Sequence, residues 1–150
     1  MTSRDAVSDF LSQRTLALVG MSRGGKKFCN MVHKELKAKG YTLHAVHPVA
    51  REIEGVRCWP SLLDLPEPVG GVVVCVPPTR TEQVVRDAHR AGIRRVWMQQ
   101  GAESQAAIRL CEESGIALVH GDCILMFAEP AALFHRVHRW IWRLLGRLPA

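Results

Sequence analysis

Short apolar runs alternate with amphipathic segments along most of the chain, and this alternation predicts its secondary structure. Apolar runs of about five residues are typical of buried strands, whereas apolar residues at helical spacing indicate helices. The predicted strands are 15–19, 41–46, 71–76, 94–98 and 116–119. The first predicted helix is 2–14, with Ser3 as N-cap, and the second follows a glycine-rich loop and is closed by Gly40. The others are a helix that Thr79 or Thr81 caps and Gly92 follows, a helix at 103–114, and a C-terminal helix from Pro130.

Strands that alternate with helices predict βαβ units with right-handed crossovers, and therefore a parallel sheet. Residues 71–76 are apolar on both faces, as in a strand covered on both sides, so Cys75 is interpreted as a core residue. Residues 51–69 contain three prolines and are predicted to be irregular, apart from one helical turn at 61–64. The predicted fold class is α/β: one Rossmann-like domain over residues 1–150, with a doubly wound parallel sheet of about five strands and helices on both faces.

The composition is that of an ordinary globular domain, with 47% hydrophobic and 23% charged residues among 150. No apolar run approaches the roughly 18–20 residues that a membrane span needs, and residues 1–9 lack the apolar core of a secretion signal. The five cysteines are scattered and form no C-x-x-C, which argues against a disulfide framework and a zinc ribbon. These features predict a reducing, cytoplasmic location.

The formal net charge of +6 is concentrated in the C-terminal segment. Residues 133–150 carry four arginines and no acid, whereas the other residues, with 16 basic and 14 acidic side chains, carry only +2. Because the body of the chain has no basic stripe and no recognition motif, nucleic acid is not an expected partner.

The predicted C-terminal helix has one apolar stripe, formed by Leu133, Val137, Trp140, Ile141, Leu144 and Leu145. The favoured interpretation is a last helix that docks on the sheet. A homodimer contact is the next interpretation, since aromatic and arginine residues are enriched at interfaces. A basic amphipathic helix on anionic lipid is the third, and a membrane is the least favoured partner.

Residues 20–27 read Gly-Met-Ser-Arg-Gly-Gly-Lys-Lys, directly after the first predicted strand. A glycine-rich turn at a helix start favours anions, because unpaired backbone N–H groups and the helix dipole act together. Ser22, Arg23, Lys26 and Lys27 add a hydroxyl and cations, so the loop predicts a phosphate site. A magnesium-dependent phosphate loop is excluded, because Lys27 stands where the metal needs a hydroxyl and no later strand ends in a partner aspartate.

The loop also departs from the NAD fingerprint, which is G-x-G-x-x-G followed by an acidic residue at the end of the second strand. The glycine spacing here is G-x-x-x-G-G, and the second strand ends Ala45-Val46-His47-Pro48 without a carboxylate. A strand end without negative charge tolerates a phosphorylated ribose, which points to NADP or coenzyme A.

Five blocks follow one another at the predicted strand ends: Val-Gly-Met-Ser at 19–22, Val-His-Pro at 46–48, Val-Pro-Pro at 76–78, Gln-Gln-Gly-Ala at 99–102 and Gly-Asp-Cys-Ile at 121–124. In this order they resemble the small stand-alone CoA-binding proteins, which are similar to the N-terminal domain of the succinyl-CoA synthetase α subunit. The resemblance covers roughly residues 12–130. The catalytic histidine of the synthetase lies on a second domain that has no counterpart here, so the resemblance implies ligand binding without that chemistry.

The resemblance implies a site for coenzyme A or an acyl-CoA, assembled from the loops at the strand ends. The residues that it assigns to the phosphates are Gly20, Met21, Ser22, Arg23 and Lys26. The residues that it assigns to the adenine, the ribose and the wall behind the nucleotide are His47, Pro48, Val76, Pro77 and Pro78. The residues that it assigns to the exit of the pantetheine arm are Gln100, Gly101, Asp122 and Cys123. The synthetase pattern has a lysine after the second strand, where this chain has His47 and Arg51.

Two other functions stay open at the level of sequence. An NADP-binding oxidoreductase or redox regulator needs a proton donor, for which the chain offers His47, His120 or Cys123. A nucleotide-responsive module would dock on a partner or a membrane through the C-terminal helix. Cys123 is itself open to two interpretations: a loop thiol that pairs with coenzyme A, or, as the favoured one, a packing cysteine.

Neither a metal site nor an acid–base pair is predicted. Nothing in the sequence places Glu103 and Asp122 together, so they cannot be assigned as a carboxylate pair. The histidine pairs that lack the acids or cysteines of a complete tetrahedral set are His44/His47 and His135/His138.

The change Lys26→Glu is expected to weaken coenzyme A binding roughly tenfold or more, because a charge-assisted phosphate contact is worth about 1.5–3 kcal/mol. Isothermal titration calorimetry of the wild type and the variant measures the effect. An unchanged dissociation constant would remove Lys26 from the phosphate site.

Overall fold

The computed structural model describes residues 3–24 and 28–128, which form a sheet with helices packed on it. The helices are α1 (Arg4–Ser12), α2 (Phe28–Ala38), α3 (Pro78–Arg90) and α4 (Gln105–Glu113). The strands are β1 (Thr15–Val19), β2 (Thr42–Val46), β3 (Glu52–Ile53), β4 (Val56–Trp59), β5 (Gly71–Val74), β6 (Arg95–Met98) and β7 (Ala117–His120). Single turns of 3-10 helix lie at Leu62–Asp64 and Ile124–Met126.

The seven strands lie in the order β3-β4-β2-β1-β5-β6-β7, and all neighbours are parallel except β3 and β4. The chain starts at β1 in the middle of the sheet, winds outward through β2, and then returns to the other side of β1 with β5. This is the doubly wound topology, so the predicted Rossmann-like α/β class is confirmed.

Helices cover both faces of the sheet, as predicted. Leu16 and Leu18 of β1 point into a core shared with α1 and α2, whereas the alternate residue Ala17 points into a core shared with α3 and α4. All three side chains are fully buried. Both faces of β1 are therefore buried at its three middle positions, and the carboxyl edge of the sheet is left to the loops that follow the strands.

The region predicted to be irregular contains two further strands, β3 and β4. They form a hairpin whose turn residues, Glu54 and Gly55, both have positive φ angles, of 49° and 79°. The hairpin joins the sheet because β4 pairs with β2 beyond the predicted strands. Two and four residues are too few to show a strand period, which is why the pattern missed them. The helical turn predicted at 61–64 is confirmed as Leu62–Asp64, with Ser61 as its cap.

No helix among residues 3–24 and 28–128 is long and apolar enough to cross a bilayer. Lys26, Lys27 and the predicted C-terminal helix lie outside the described residues, and so do the three interpretations of that helix.

Candidate functional site

A cavity of about 410 Å³ opens where the carboxyl ends of β1, β2 and β5 meet. This is the switch point of the topology, since β1 stands between β2 and β5. The described residues that line it are Val19, Gly20, Met21, Ser22, Arg23, Val46, His47, Pro48, Val49, Val76, Pro77 and Arg80. Eight of the fourteen residues that the sequence assigned to a ligand therefore lie around one opening, which we call the switch-point cavity.

Gly20 allows the chain to turn sharply at the end of β1. Its φ angle is +130°, and a Cβ atom built on it would lie 2.8 Å from the backbone carbonyl carbon of Cys75. A side chain would meet backbone atoms there, and these cannot move aside cheaply. The glycine loop consequently runs directly over the end of β5, in front of two adjacent strands.

Asn30 of α2 holds this loop in place, a role that sequence reasoning did not identify. Its Oδ1 atom accepts the backbone N–H of Ser22 at 2.8 Å, and its Nδ2 atom donates to the Ser22 carbonyl at 3.0 Å. The Ser22 hydroxyl accepts the N–H of Gly24 at 3.2 Å. Two amides of the loop are thus used to fix its shape, so side chains must supply part of any anion binding. Only the burial of Asn30 distinguishes it from the solvent-facing polar residues of a helix.

His47 stands at the mouth of the switch-point cavity as a neutral imidazole. Its Nδ1 atom accepts the backbone N–H groups of Val49 and Ala50 at 3.1 and 2.8 Å, which places the ring proton on Nε2. Burial lowers the pKa of His47, and the nearby guanidinium groups of Arg23 and Arg80 lower it further. At neutral pH the ring therefore offers one N–H donor beside two fixed positive charges.

Arg80 is a second residue that sequence reasoning missed. It lies in the first turn of α3 and joins Arg23 at the switch-point cavity. None of the described residues that line this cavity is an aspartate or a glutamate. The arrangement therefore suits an anion, and within the described lining it offers neither a carboxylate for magnesium nor one for a ribose diol.

A second cavity of about 270 Å³ adjoins the first and shares Val76 and Pro77 with it. The described residues that line it are Phe28, Cys29, Cys75, Val76, Pro77, Gln99, Gln100, Gly101 and Ala102. We call it the arm cavity, since it contains Gln100 and Gly101, which the sequence assigned to the pantetheine arm. Cys75, interpreted as a core residue, is half-buried just beyond the end of β5 and lines this cavity.

The loop at Gly101 is held from two sides. The fully buried hydroxyl of Thr81 donates to the carbonyl of Ala102, and Gly101 donates its N–H to the Glu103 carboxylate at 3.1 Å. Thr81 therefore acts inside α3, and the predicted cap at Thr79 or Thr81 is wrong: the N-cap position is Pro77, with Pro78 at the first helical position. Pro78 is exposed and does not line either cavity.

Asp122 and Cys123 are buried and do not line these two cavities. Trp97 donates its indole N–H to the Asp122 carbonyl at 3.0 Å. Gln99 donates to the Cys123 sulfur at 3.5 Å and accepts the N–H of Ile124 at 2.8 Å. Burial raises the pKa of the Cys123 thiol, so it stays protonated at neutral pH.

The structure places Asp122 near His120 and Glu103, and the sequence alone could not bring Glu103 and Asp122 together. Burial raises the pKa of the Asp122 carboxyl group; His120 opposes this shift, and the negative charge of Glu103 adds to it. The ends of β6 and β7 thus bring Glu103 and Asp122 within electrostatic range of each other. Among residues 3–24 and 28–128, no three His, Cys, Asp or Glu side chains are grouped so as to hold a metal ion.

The fold and its switch-point cavity define a Rossmann-like domain with a cationic opening at the sheet edge. A family model described as CoA binding domain matches residues 14–129. The chain belongs to this CoA-binding domain family.

Three similar proteins place the chain within that family. The acetate–CoA ligase [ADP-forming] I of Archaeoglobus fulgidus is 27% identical over 130 residues, which are 80% of this chain but 19% of the ligase. The uncharacterized protein YneT of Bacillus subtilis is 25% identical over 123 residues, which are 81% of this chain and 91% of YneT. The solved structure of a conserved hypothetical protein from Pyrococcus furiosus is 40% identical, with a TM-score of 0.70 over 74% of this chain and 96% of that one. The chain thus spans about a fifth of the ligase and nearly all of the two shorter proteins.

The change Gly20→Ala is expected to lower the free energy of unfolding by about 1–3 kcal/mol, because the residue keeps an unfavourable φ and its new methyl group meets the backbone of Cys75. Urea denaturation measures the loss. Gly92→Ala is the matched control, since Gly92 also has a positive φ, of +78°, but has open space where the methyl group would lie. Equal losses in the two variants would show that the close approach contributes nothing.

Protonation of His47 is expected to destabilise the protein as the pH falls. The pKa of His47 is lower in the folded state than its ordinary value near 6.5, so below that value the unfolded chain binds the proton first and stability is lost. Between roughly pH 7.5 and roughly pH 5.5, His47→Asn should lose less stability than the wild type, because asparagine offers the loop amides an acceptor that does not titrate. Buried His33, whose pKa is also lowered, is present in both proteins and cancels. Identical pH profiles would contradict the assignment.

Proposed function

We propose that the protein binds coenzyme A, free or as an acyl-CoA, along the carboxyl edge of its sheet. The observation that carries this proposal is the pair of adjoining cavities. The switch-point cavity has two arginines and no acid among its described lining, whereas the described lining of the arm cavity has no charged side chain at all. Coenzyme A has the same sequence of polarities: a phosphorylated nucleotide joined to a long, uncharged pantetheine arm.

In this proposal the switch-point cavity receives the phosphates. Arg23 comes with the glycine loop and provides a fork of N–H donors that fits phosphate oxygens. The Nε2–H group of His47 adds a hydrogen-bond donor, and the lowered pKa of His47 keeps the ring neutral near pH 7. Lys26 belongs to the same loop and remains a predicted contact, outside the described residues.

The pantetheine arm runs past Val76 and Pro77 into the arm cavity. Its amide groups need hydrogen-bonding partners there, and the side chain of Gln100 and the backbone at Gly101 lie along the wall. Asp122 and Cys123 lie behind this wall. Gln99 holds their segment through hydrogen bonds with the Cys123 sulfur and with the backbone N–H of the next residue, Ile124. Asp122 and Cys123 support the arm site without touching the ligand.

We further propose that the protein binds this ligand without catalysing a reaction of it. A phosphoryl transfer would need a carboxylate for the metal, and the described residues around the phosphates include none. The ligase that the chain resembles is about five times longer, and the proposal takes from it the binding of coenzyme A alone. The five cysteines are unbridged thiols, which supports a cytoplasmic location.

Calorimetry with the purified protein is expected to rank coenzyme A above NADP and ATP. Of the three ligands, only coenzyme A continues from its pyrophosphate into a long uncharged arm that matches the uncharged lining of the arm cavity; ATP ends in charged phosphates, and NADP continues into a ribose and a charged nicotinamide ring. Protein purified without added ligand should also show excess absorbance near 260 nm if the ligand is retained. Tighter binding of NADP than of coenzyme A would overturn the proposal in favour of a redox function.

A further inference from the structure

A third cavity, of about 400 Å³, lies between α3 and the segment around Pro60 and adjoins the switch-point cavity. Its walls include the apolar side chains of Pro48, Leu62 and Val84. It shares five described lining residues with the switch-point cavity: Val19, Val46, Pro48, Val76 and Arg80. Arg80 is the only cation among these five residues, so its side chain borders both cavities and is available to a ligand that extends from one into the other.

The charge of Arg80 is not compensated locally. Within residues 3–24 and 28–128 its side chain has neither a hydrogen bond nor an ion pair, although Arg86 on the same helix is paired with Glu82 at 2.7 Å. The acid nearest to it in the lining, Asp87, lies two helical turns away and accepts a hydrogen bond from Gln83 at 3.0 Å. A guanidinium group in this state is prepared to bind an anion from outside the protein.

Arg23 and Arg80 differ in the cavities that they line. Arg23 belongs to the glycine loop and lines the switch-point cavity, but it does not line the third cavity. Arg80 lines both cavities, and the positive charges of both arginines reach His47 between them. A ligand with two anionic groups separated by a neutral unit can therefore place one group at Arg23 and the other at Arg80, next to the third cavity.

Coenzyme A has this distribution of charge, with a pyrophosphate on one side of its ribose and a 3′-phosphate on the ribose itself. Building on the function proposed above, we propose that Arg80 binds the 3′-phosphate while the glycine loop and Arg23 bind the pyrophosphate. The adenine then enters the third cavity against Pro48 and Leu62. Arg80 is accordingly the residue that makes the protein prefer coenzyme A over dephospho-coenzyme A, which lacks only the 3′-phosphate.

The test is a cycle of two ligands and two variants, measured by calorimetry. The wild type should bind coenzyme A roughly tenfold to a hundredfold more tightly than dephospho-coenzyme A, the range expected for one charge-assisted contact. Arg80→Gln should remove this preference by weakening coenzyme A alone. Arg23→Gln should weaken both ligands and leave their ratio unchanged. Arg86→Gln, on the same helix but paired with Glu82, is the control and should change neither affinity.

The outcomes separate this inference from the function on which it rests. If coenzyme A binds but Arg80→Gln weakens both ligands equally, or the wild type does not discriminate between them, the assignment of Arg80 is overturned and the function stands. If neither ligand binds the wild type, the function fails and the assignment fails with it. Thermal unfolding of each variant provides the check on folding, and exposed Arg80 should tolerate its substitution. Arg80→Lys, which keeps the charge but not the fork, should recover part of the preference.

Discussion

The close approach of Gly20 to Cys75 is the constraint on which the site depends. Strands β1 and β5 are in register up to Val19 and Val74, so the chain that leaves β1 must cross the end of its neighbour. Only a residue without a side chain and with a positive φ can do so at this distance. The crossing brings the glycine loop in front of both strands, and the two hydrogen bonds of Asn30 then fix the loop to α2. The position of Arg23 relative to His47 and Arg80 follows from this arrangement.

The loops at the carboxyl edge of the sheet, rather than ion pairs, determine where the charged residues lie along that edge. Burial and the two neighbouring arginines lower the pKa of His47 and keep the ring neutral, while two loop amides occupy its Nδ1 atom. The positive charge of the switch-point cavity therefore comes from arginines, which do not titrate. The arm cavity receives only thiols, glutamines and apolar groups from its described lining. The two cavities meet at Val76 and Pro77, which lie between the end of β5 at Val74 and the start of α3 at Pro78. The boundary between the charged and the uncharged surface therefore lies at two consecutive residues of the chain.

The sequence predicted those parts of the structure that leave a periodic or a positional signal. The strands that are buried on both faces were recognisable, as 71–74 shows, and the carboxyl ends of parallel strands must meet, so the loops of the site could be named in advance. Asn30 and Arg80 reach the site from helices, where periodicity marks the apolar face but does not separate a polar side chain facing a loop from one facing solvent. Asp122 and Cys123 lie in a predicted loop, yet Gln99 and Trp97 turn that loop inward through contacts that no local pattern contains. The hairpin β3-β4 was missed because its turn, Glu54-Gly55, is not one of the common hairpin signals.

The placement of the fixed charges bears on what kind of protein this is. In acyl chemistry the phosphates of coenzyme A do not react, so arginines that hold them stabilise the ground state and the transition state equally. Binding of this uniform kind tightens a complex without lowering the barrier to its reaction. Acceleration would have to come from groups at the thioester, in the arm cavity, where the described lining has no charged side chain but includes the thiols of Cys29 and Cys75. The Glu103 carboxylate accepts the Gly101 amide, and Asp122 is buried outside the lining of this cavity. The fixed positive charges among the described residues thus lie where the phosphates of the proposed ligand would be recognised, and not in the cavity where a thioester would react.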